Sequence, residues 1–360
     1  MTDKPLILFT NDDGIESPGL WACAEAFADF AEVLVVAPRE QQSGMGRSLP
    51  VTSEGRIYEE KHTLIGAEHT VYAVDGTPAQ AVQHGVIELA SRVPALVVSG
   101  INYGDNTGNG VTISGTVGAA LEAASLGIPA LAISQQTPID LHLTYANIDF
   151  DPAAHFARIF GEWLLHSIRP DDVDILKVDV PLDATRDTPW RVTRLSRRRV
   201  YWPTRPERVA LRDVGRLGYK LNMDPSEAEP DSDVYVLQHE KKVSVTPISL
   251  DMTSRTDLYR LKQLIAGKAV TPEVDVKKPG KNGRCCFADN QHIAVFEKMR
   301  RDSQWRAVQD CAVCAVQVCD SPTICGEVEA AVRSRNRPIL QRDIPSGILR
   351  HAAHGHRVLV

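Results

Sequence analysis

The run Leu6-Ile7-Leu8-Phe9-Thr10, followed at once by Asn11-Asp12-Asp13-Gly14, constrains this chain more than any other stretch. A short apolar run without polar alternation, closed by a turn signal, is the pattern of a strand buried on both faces of a parallel sheet. Its carboxyl end delivers two adjacent acids to a turn that Gly14 relaxes. Open α/β sheets bind ligands at that edge. Two neighbouring carboxylates repel each other unless a positive charge lies between them, and a hard divalent cation meets that need. Taken alone, the tetrapeptide also suits a plain surface turn, because Asp-Gly is a common turn pair.

The following residues argue against a mere turn, because apolar runs and helical stretches alternate to about residue 180. Strands are expected at 6–10, 33–37, 71–74, 95–99, 130–134 and 175–178. Helices are expected at 18–30 behind Ser17, at 78–89 behind Thr77, at 116–125 before Gly127, and at 152–165. Strands alternating with helices of this length predict βαβ units, hence an α/β fold with a mostly parallel sheet covered on both faces. From about 181 to 234, Arg197-Arg198-Arg199 and scattered prolines interrupt the pattern, which suggests an irregular excursion such as a β-hairpin arm. A strand at 243–246 and a helix at 253–264 would then complete a domain.

The chain has 360 residues, 43% of them hydrophobic, enough for one large α/β domain and something extra. Its net charge of −6 is unevenly spread. Residues 1–265 hold 25 Lys+Arg against 36 Asp+Glu, a balance of −11, and residues 266–360 hold 15 against 10, a balance of +5. An acidic body is a poor nucleic-acid binder, so no nucleic-acid partner is expected. No apolar run approaches a membrane span, and Met1-Thr2-Asp3-Lys4 leads into a strand with no cleavage signal; a cytoplasmic protein without membrane contact is expected. Cys23 stands alone in the first 265 residues, whereas Cys285, Cys286, Cys311, Cys314, Cys319 and Cys325 crowd the last part. Composition thus divides the chain into 1–265 and 266–360.

The loops that follow strands or open helices share one theme. Beyond Asn11–Gly14 come the polar loop from Arg39 to Ser48, the stretch from Ser99 to Gly110 with four glycines, and Ser114-Gly115-Thr116 at a helix start. Glycines let backbone amides approach a ligand, and the free N–H groups of a helix N-terminus suit phosphate. Asp12 and Asp13 supply charge, while Ser43 and Asn102 offer neutral oxygens. Thiols and imidazoles are absent from these loops, which favours Mg²⁺ or Mn²⁺ over zinc. A hard cation beside a phosphate cradle points to metal-assisted phosphoester hydrolysis. The first βα turn lacks the dinucleotide fingerprint, and the span from Gly104 to Gly110 lacks the Walker spacing.

Five ordered blocks carry a more specific signal: 9–20 (Phe-Thr-Asn-Asp-Asp-Gly-Ile-Glu-Ser-Pro-Gly-Leu), 37–44 (Ala-Pro-Arg-Glu-Gln-Gln-Ser-Gly), Gly76-Thr77-Pro78-Ala79, Ser99-Gly100-Ile101-Asn102 and 114–120 (Ser-Gly-Thr-Val-Gly-Ala-Ala). In this order they resemble the signature of the SurE family, stationary-phase survival proteins with 5′-nucleotidase activity, over roughly residues 5–265. The resemblance implies a Rossmann-like domain, a hairpin arm at about 185–235 exchanged between subunits, and a homodimer or homotetramer. It also implies a phosphatase acting on nucleoside monophosphates with one Mg²⁺ or Mn²⁺ per subunit. Its metal ligands fall on Asp12, Asp13, Ser43 and Asn102, and the choice of Ser43 over Ser48 rests on the family alone. Asp12 and Asp13 are also the expected catalytic acids, and the phosphate contacts fall on Asn106, Ser114, Gly115 and Thr116. Gln80 stands where the family usually has an acid, and Ala123 where it has Gly. Other readings stay open: 3′-nucleotides or short polyphosphate as substrate, or nucleotide binding without catalysis.

The tail departs from that family, whose members end near the helix closing at about 265. Cys311-x-x-Cys314 invites a zinc reading, but Cys319 and Cys325 do not form a second pair. The tail is read as an appendage with no assigned role.

Overall fold

Strand β1 (Leu6–Thr10) is buried along its whole length, and its alternating side chains account for the layers around it. Ile7 and Phe9 join a core with Leu20 and Phe27, from helix α1 (Pro18–Glu25) and the turn after it, and with Phe156 and Phe160 of α4 (Asp151–His166). Leu6 and Leu8 face the opposite core, with Ala81 and Val82 of α2 (Pro78–His84) and Val117 and Ala120 of α3 (Gly115–Ser125). A strand apolar on both sides needs such double cover. The computed structural model describes residues 4–138, 148–221 and 224–267.

The remaining strands of the sheet are β2 (Glu32–Pro38), β3 (Ile57–Leu64), β4 (Ala67–Val74), β5 (Leu96–Tyr103), β6 (Ala130–Gln135), β7 (Ile175–Val180), β8 (Trp190–Val192) and β11 (Val243–Ile248). They run in the order β3-β4-β2-β1-β5-β6-β7-β11-β8. From β4 to β7 every pairing is parallel; β3 and β11 run antiparallel to their inner neighbours, and β8 is parallel to β11. The chain leaves β1 for β2 on one side and later returns to lay β5 on the other. The crevice beyond β1 and β5 is therefore the switch point where such sheets bind ligands.

Several expected elements take different bounds. The helix expected over 18–30 ends at Glu25, because tight turns take over, with N–H bonds from Phe27 to Ala24 and from Phe30 to Phe27. These turns seat Phe27 edge-on against Phe9, with ring centroids 5.4 Å apart. Ser17 precedes the helix but makes no side-chain cap. Thr77, by contrast, forms a full capping box with Gln80, whose oxygen accepts the Thr77 N–H at 3.1 Å and whose amide donates to the Pro50 carbonyl. That bonding gives Gln80 a structural reason in place of an acid. The strand expected at 71–74 is the end of a hairpin, β3–β4, closed by Ile65 and Gly66, both at positive φ. Two-residue turns of that shape normally carry Asn-Gly or Asp-Gly, so the signal was missing.

After β8 the chain forms a separate antiparallel pair, β9 (Tyr201–Thr204) and β10 (Gly218–Leu221). It returns through residues 224–242, where Val234 and Ala228 bury against Val200. The chain divides into two compact units between Ser254 and Arg255. In the second, the described residues form α5 (Leu258–Ile265), capped by the Asp257 carboxylate at the N–H groups of Tyr259 and Arg260; the expected start at 253 is five residues early because Asp257 supplies the cap. The cysteine-rich tail lies outside the described residues.

Candidate metal and phosphate site

Asp12 and Asp13 leave the carboxyl end of β1 and are both buried. Asn11 shapes the turn: its amide donates to the Gly14 carbonyl and its oxygen accepts the Gly14 N–H at 3.2 Å. Asp12 Oδ1 accepts the Thr116 hydroxyl at 2.6 Å, and the first N–H groups of α3, on Gly115 and Thr116, also face that carboxylate. Asp13 accepts the Tyr103 N–H at 3.1 Å and the Gln41 amide at 3.3 Å. Burial holds both carboxyls above the ordinary range; for Asp13, burial first and the charge of Asp12 second push it up to about 8.

The other candidate residues come from three elements. Asn102 sits in β5 just past a register shift between Ser99 and Asn102, and such bulges re-aim side chains. Its amide nitrogen donates to the carbonyls of Tyr103 and Gly104, at 3.2 and 2.7 Å, so its oxygen is the part of that side chain left to accept or to ligate. Asn106 donates to the Ser134 hydroxyl at 2.9 Å and lies 3.5 Å from that of Thr116. Ser114 caps α3, accepting the Val117 N–H at 3.1 Å. Gly115 has no room for a side chain, since a Cβ there would come within 2.6 Å of Asp12 Cβ. Ser43 is exposed, one residue from Gln42, whose N–H donates to the Asp12 carbonyl at 2.7 Å.

Asp12, Thr116 and Asn106 thus form one bonded chain. Asp13 bonds the backbone of Tyr103, next to Asn102, and Ser43 lies on the loop whose Gln42 bonds Asp12. Sequence reasoning assigned no role to Gln41, although it stands in the block 37–44, nor to Ser134, which lies in no motif. It also missed Lys177, Asp179 and Asp233, three charged groups buried below the Asn106 loop. The first two had a legible sign, a Lys and an Asp two apart in an otherwise apolar strand and hence on one face.

Whether this cluster suits a cation turns on its donors. It presents two adjacent buried carboxylates, whose shared charge a cation would relieve, and amide and hydroxyl oxygens nearby. Among the described residues no three His, Cys, Asp or Glu side chains gather as a metal cluster. Two carboxylates completed by neutral oxygens suit a hard ion such as Mg²⁺ or Mn²⁺ rather than zinc.

The family model described as "Survival protein SurE" matches residues 7–201. The chain belongs to the SurE family. A protein named "5'-nucleotidase SurE" from Thermococcus gammatolerans is 40% identical over 273 residues, which cover 73% of this chain and 97% of the relative. Its namesake from Methanocaldococcus jannaschii is 39% identical over 257 residues, covering 69% of this chain and 92% of that one. The crystal structure of the SurE protein from Aquifex aeolicus matches with a TM-score of 0.57 at 32% identity, covering 72% of this chain and 100% of that chain. The SurE match, the parallel sheet and the helices on both faces bear out the family and the α/β fold read from the sequence.

Proposed function

We propose that the protein is a divalent-metal-dependent phosphatase that hydrolyses nucleoside 5′-monophosphates to nucleoside and phosphate. The observation that carries this reading is the pair of buried acids, Asp12 and Asp13, set against the N-terminus of α3 at the switch point of a SurE-family sheet. Relatives named 5′-nucleotidase at about 40% identity support it. Asp12 and Asp13, with oxygens of Asn102 and Ser43, would hold one Mg²⁺ or Mn²⁺. A cation there neutralises phosphoryl oxygens and makes water more acidic.

The chain's own residues supply the rest. The Asn106 amide and the Ser114 hydroxyl donate to phosphate oxygens, the Thr116 hydroxyl stays on Asp12 and leaves only its acceptor side to the pocket, and α3 directs its positive end toward the phosphate. Asp13, ionised when it holds the cation, is the chain's nearest candidate to take a proton from the attacking water. Among the described residues no helix is long and apolar enough to cross a membrane.

The test is phosphate release from AMP, GMP, 3′-nucleotides and short polyphosphate, with Mn²⁺ or Mg²⁺ and then with EDTA. Release from 5′-monophosphates that EDTA stops is the expected result. Tight nucleotide binding with no release in either metal would overturn it.

A further inference from the structure

Below the loop that carries Asn106 lies a buried charge cluster that the proposed chemistry does not use. Lys177 and Asp179 share one face of β7, and both are fully buried. The Lys177 ammonium pairs with the Asp179 carboxylate and, at 3.2 Å, with Oδ2 of Asp233, which arrives on the segment returning from the β9–β10 arm. The other contacts of these carboxylates go to backbone. Asp179 Oδ1 accepts the Asn106 N–H at 2.8 Å, and Asp233 Oδ2 accepts the Gly108 N–H at 2.9 Å. Asp233 Oδ1 accepts the Ser196 N–H at 2.9 Å, at the foot of the arm. From β9 itself the Tyr201 hydroxyl donates to Asp105 Oδ1 at 3.0 Å, and the Asn109 N–H donates to the Arg198 carbonyl at 3.3 Å.

A buried ion cluster is rarely the most stable filling for a core, because apolar side chains of like volume often do as well or better. What it does supply is fixed geometry, since each hydrogen bond it makes is directional and costly to leave unmade. Here the backbone N–H groups it fixes belong to Asn106 and Gly108, and the far side of the cluster is bonded to the arm. We propose that Lys177, Asp179 and Asp233 are positioning residues: they set the backbone of residues 105–108 so that the Asn106 amide stays beside Thr116, and they tie that loop to the base of the arm. The kinetic consequence rests on the nucleotidase reading, whereas the ordering of the loop does not.

The test uses the full chain. Asp179→Ala removes the acceptor of the Asn106 N–H, while Asp179→Asn keeps an oxygen in its place. With AMP and Mn²⁺, kcat/KM of Asp179→Ala is expected to fall roughly 10- to 100-fold, and Asp179→Asn to recover most of it. In an Asn106→Ala background the same change should cost less than about threefold, since the group it positions is gone. Hydrogen exchange at the Asn106 amide should quicken in Asp179→Ala while amides of β1 and β6 stay protected. An equal kinetic loss in both backgrounds, or unchanged exchange at Asn106, overturns the inference. If Asp179→Ala does not fold, Asp233→Ala decides: it frees the Gly108 N–H and the Ser196 N–H, and unchanged exchange at Gly108 with unchanged kinetics would be fatal. If the unaltered chain releases no phosphate, the nucleotidase reading falls and hydrogen exchange alone judges the positioning role.

Discussion

Burial lifts the Asp13 carboxyl to about 8, from an unfolded value of 3.8, and the charge of Asp12 adds to the shift. A carboxyl whose folded pKa is raised stabilises the fold fully below the unfolded value, and that stability is lost as pH rises toward the folded one. Metal-free protein should therefore melt at a lower temperature at pH 8 than at pH 5, and Asp13→Asn should narrow that gap in a thermal scan with EDTA. If Asp13→Asn leaves the gap unchanged, the charge of Asp13 does not set it. Asp12→Asn keeps the shape of its neighbour's partner, since an amide oxygen still accepts the Thr116 hydroxyl. It should lower kcat roughly 10³-fold, the scale of losing one preorganised electrostatic group, with little change in Tm. Retained turnover would remove Asp12 from the reaction. Gly115→Ala presses a methyl onto Asp12, so it should cost about 1–3 kcal/mol in urea unfolding and weaken Mn²⁺ binding by calorimetry.

Helix α2 shows how an element can hold the site's surroundings by its cap. Thr77 accepts the Gln80 N–H at 3.2 Å and donates its hydroxyl to the Ser48 carbonyl at 2.7 Å, at the end of the polar loop that bears Ser43. Thr77→Ala should lose about 1 kcal/mol of stability, read as a lower urea midpoint with an unchanged m value. The same loop is clamped to α3 by the buried Glu122, which accepts Arg47 Nε at 2.7 Å and the Gln83 amide at 2.8 Å. Elements with a local signal were readable: the apolar run of β1, the Thr77-Pro78 helix start, and Gly127 after α3. The β3 strand was not, because its exposed edge position leaves charged residues on both faces and its turn is Ile65-Gly66. The early end of α1 was equally hidden, because the seating of Phe27 against Phe9, not any local breaker, turns the chain there.

At the scale of the whole molecule the β9–β10 pair is the least self-sufficient part. It is two-stranded, and Trp202, Tyr219 and Leu221 are exposed on it, whereas isolated two-stranded hairpins are marginal in water. The proposed exchange of this arm between copies would cover it, so sedimentation should report a dimer or tetramer, and deleting residues 206–216 should shift the protein toward monomer. A monomeric parent chain would end that proposal. A chain ending near Gly267 should keep its metal-dependent phosphate release, in keeping with a phosphatase domain over about 1–265. The sequence by itself determined the parallel α/β class and the paired acids, because a doubly buried strand and its closing turn are local patterns written in adjacent residues. It also marked the oxygen-rich loops proposed to hold the cation and the phosphate. Only the tertiary structure decided that Asp12 lies against the N-terminus of α3, and that Asp13 accepts the Tyr103 N–H. The same is true of Lys177, Asp179 and Asp233, which meet below Asn106 from distant parts of the chain. Such groups meet only when strands far apart in sequence become neighbours, and no periodicity within a window records that meeting.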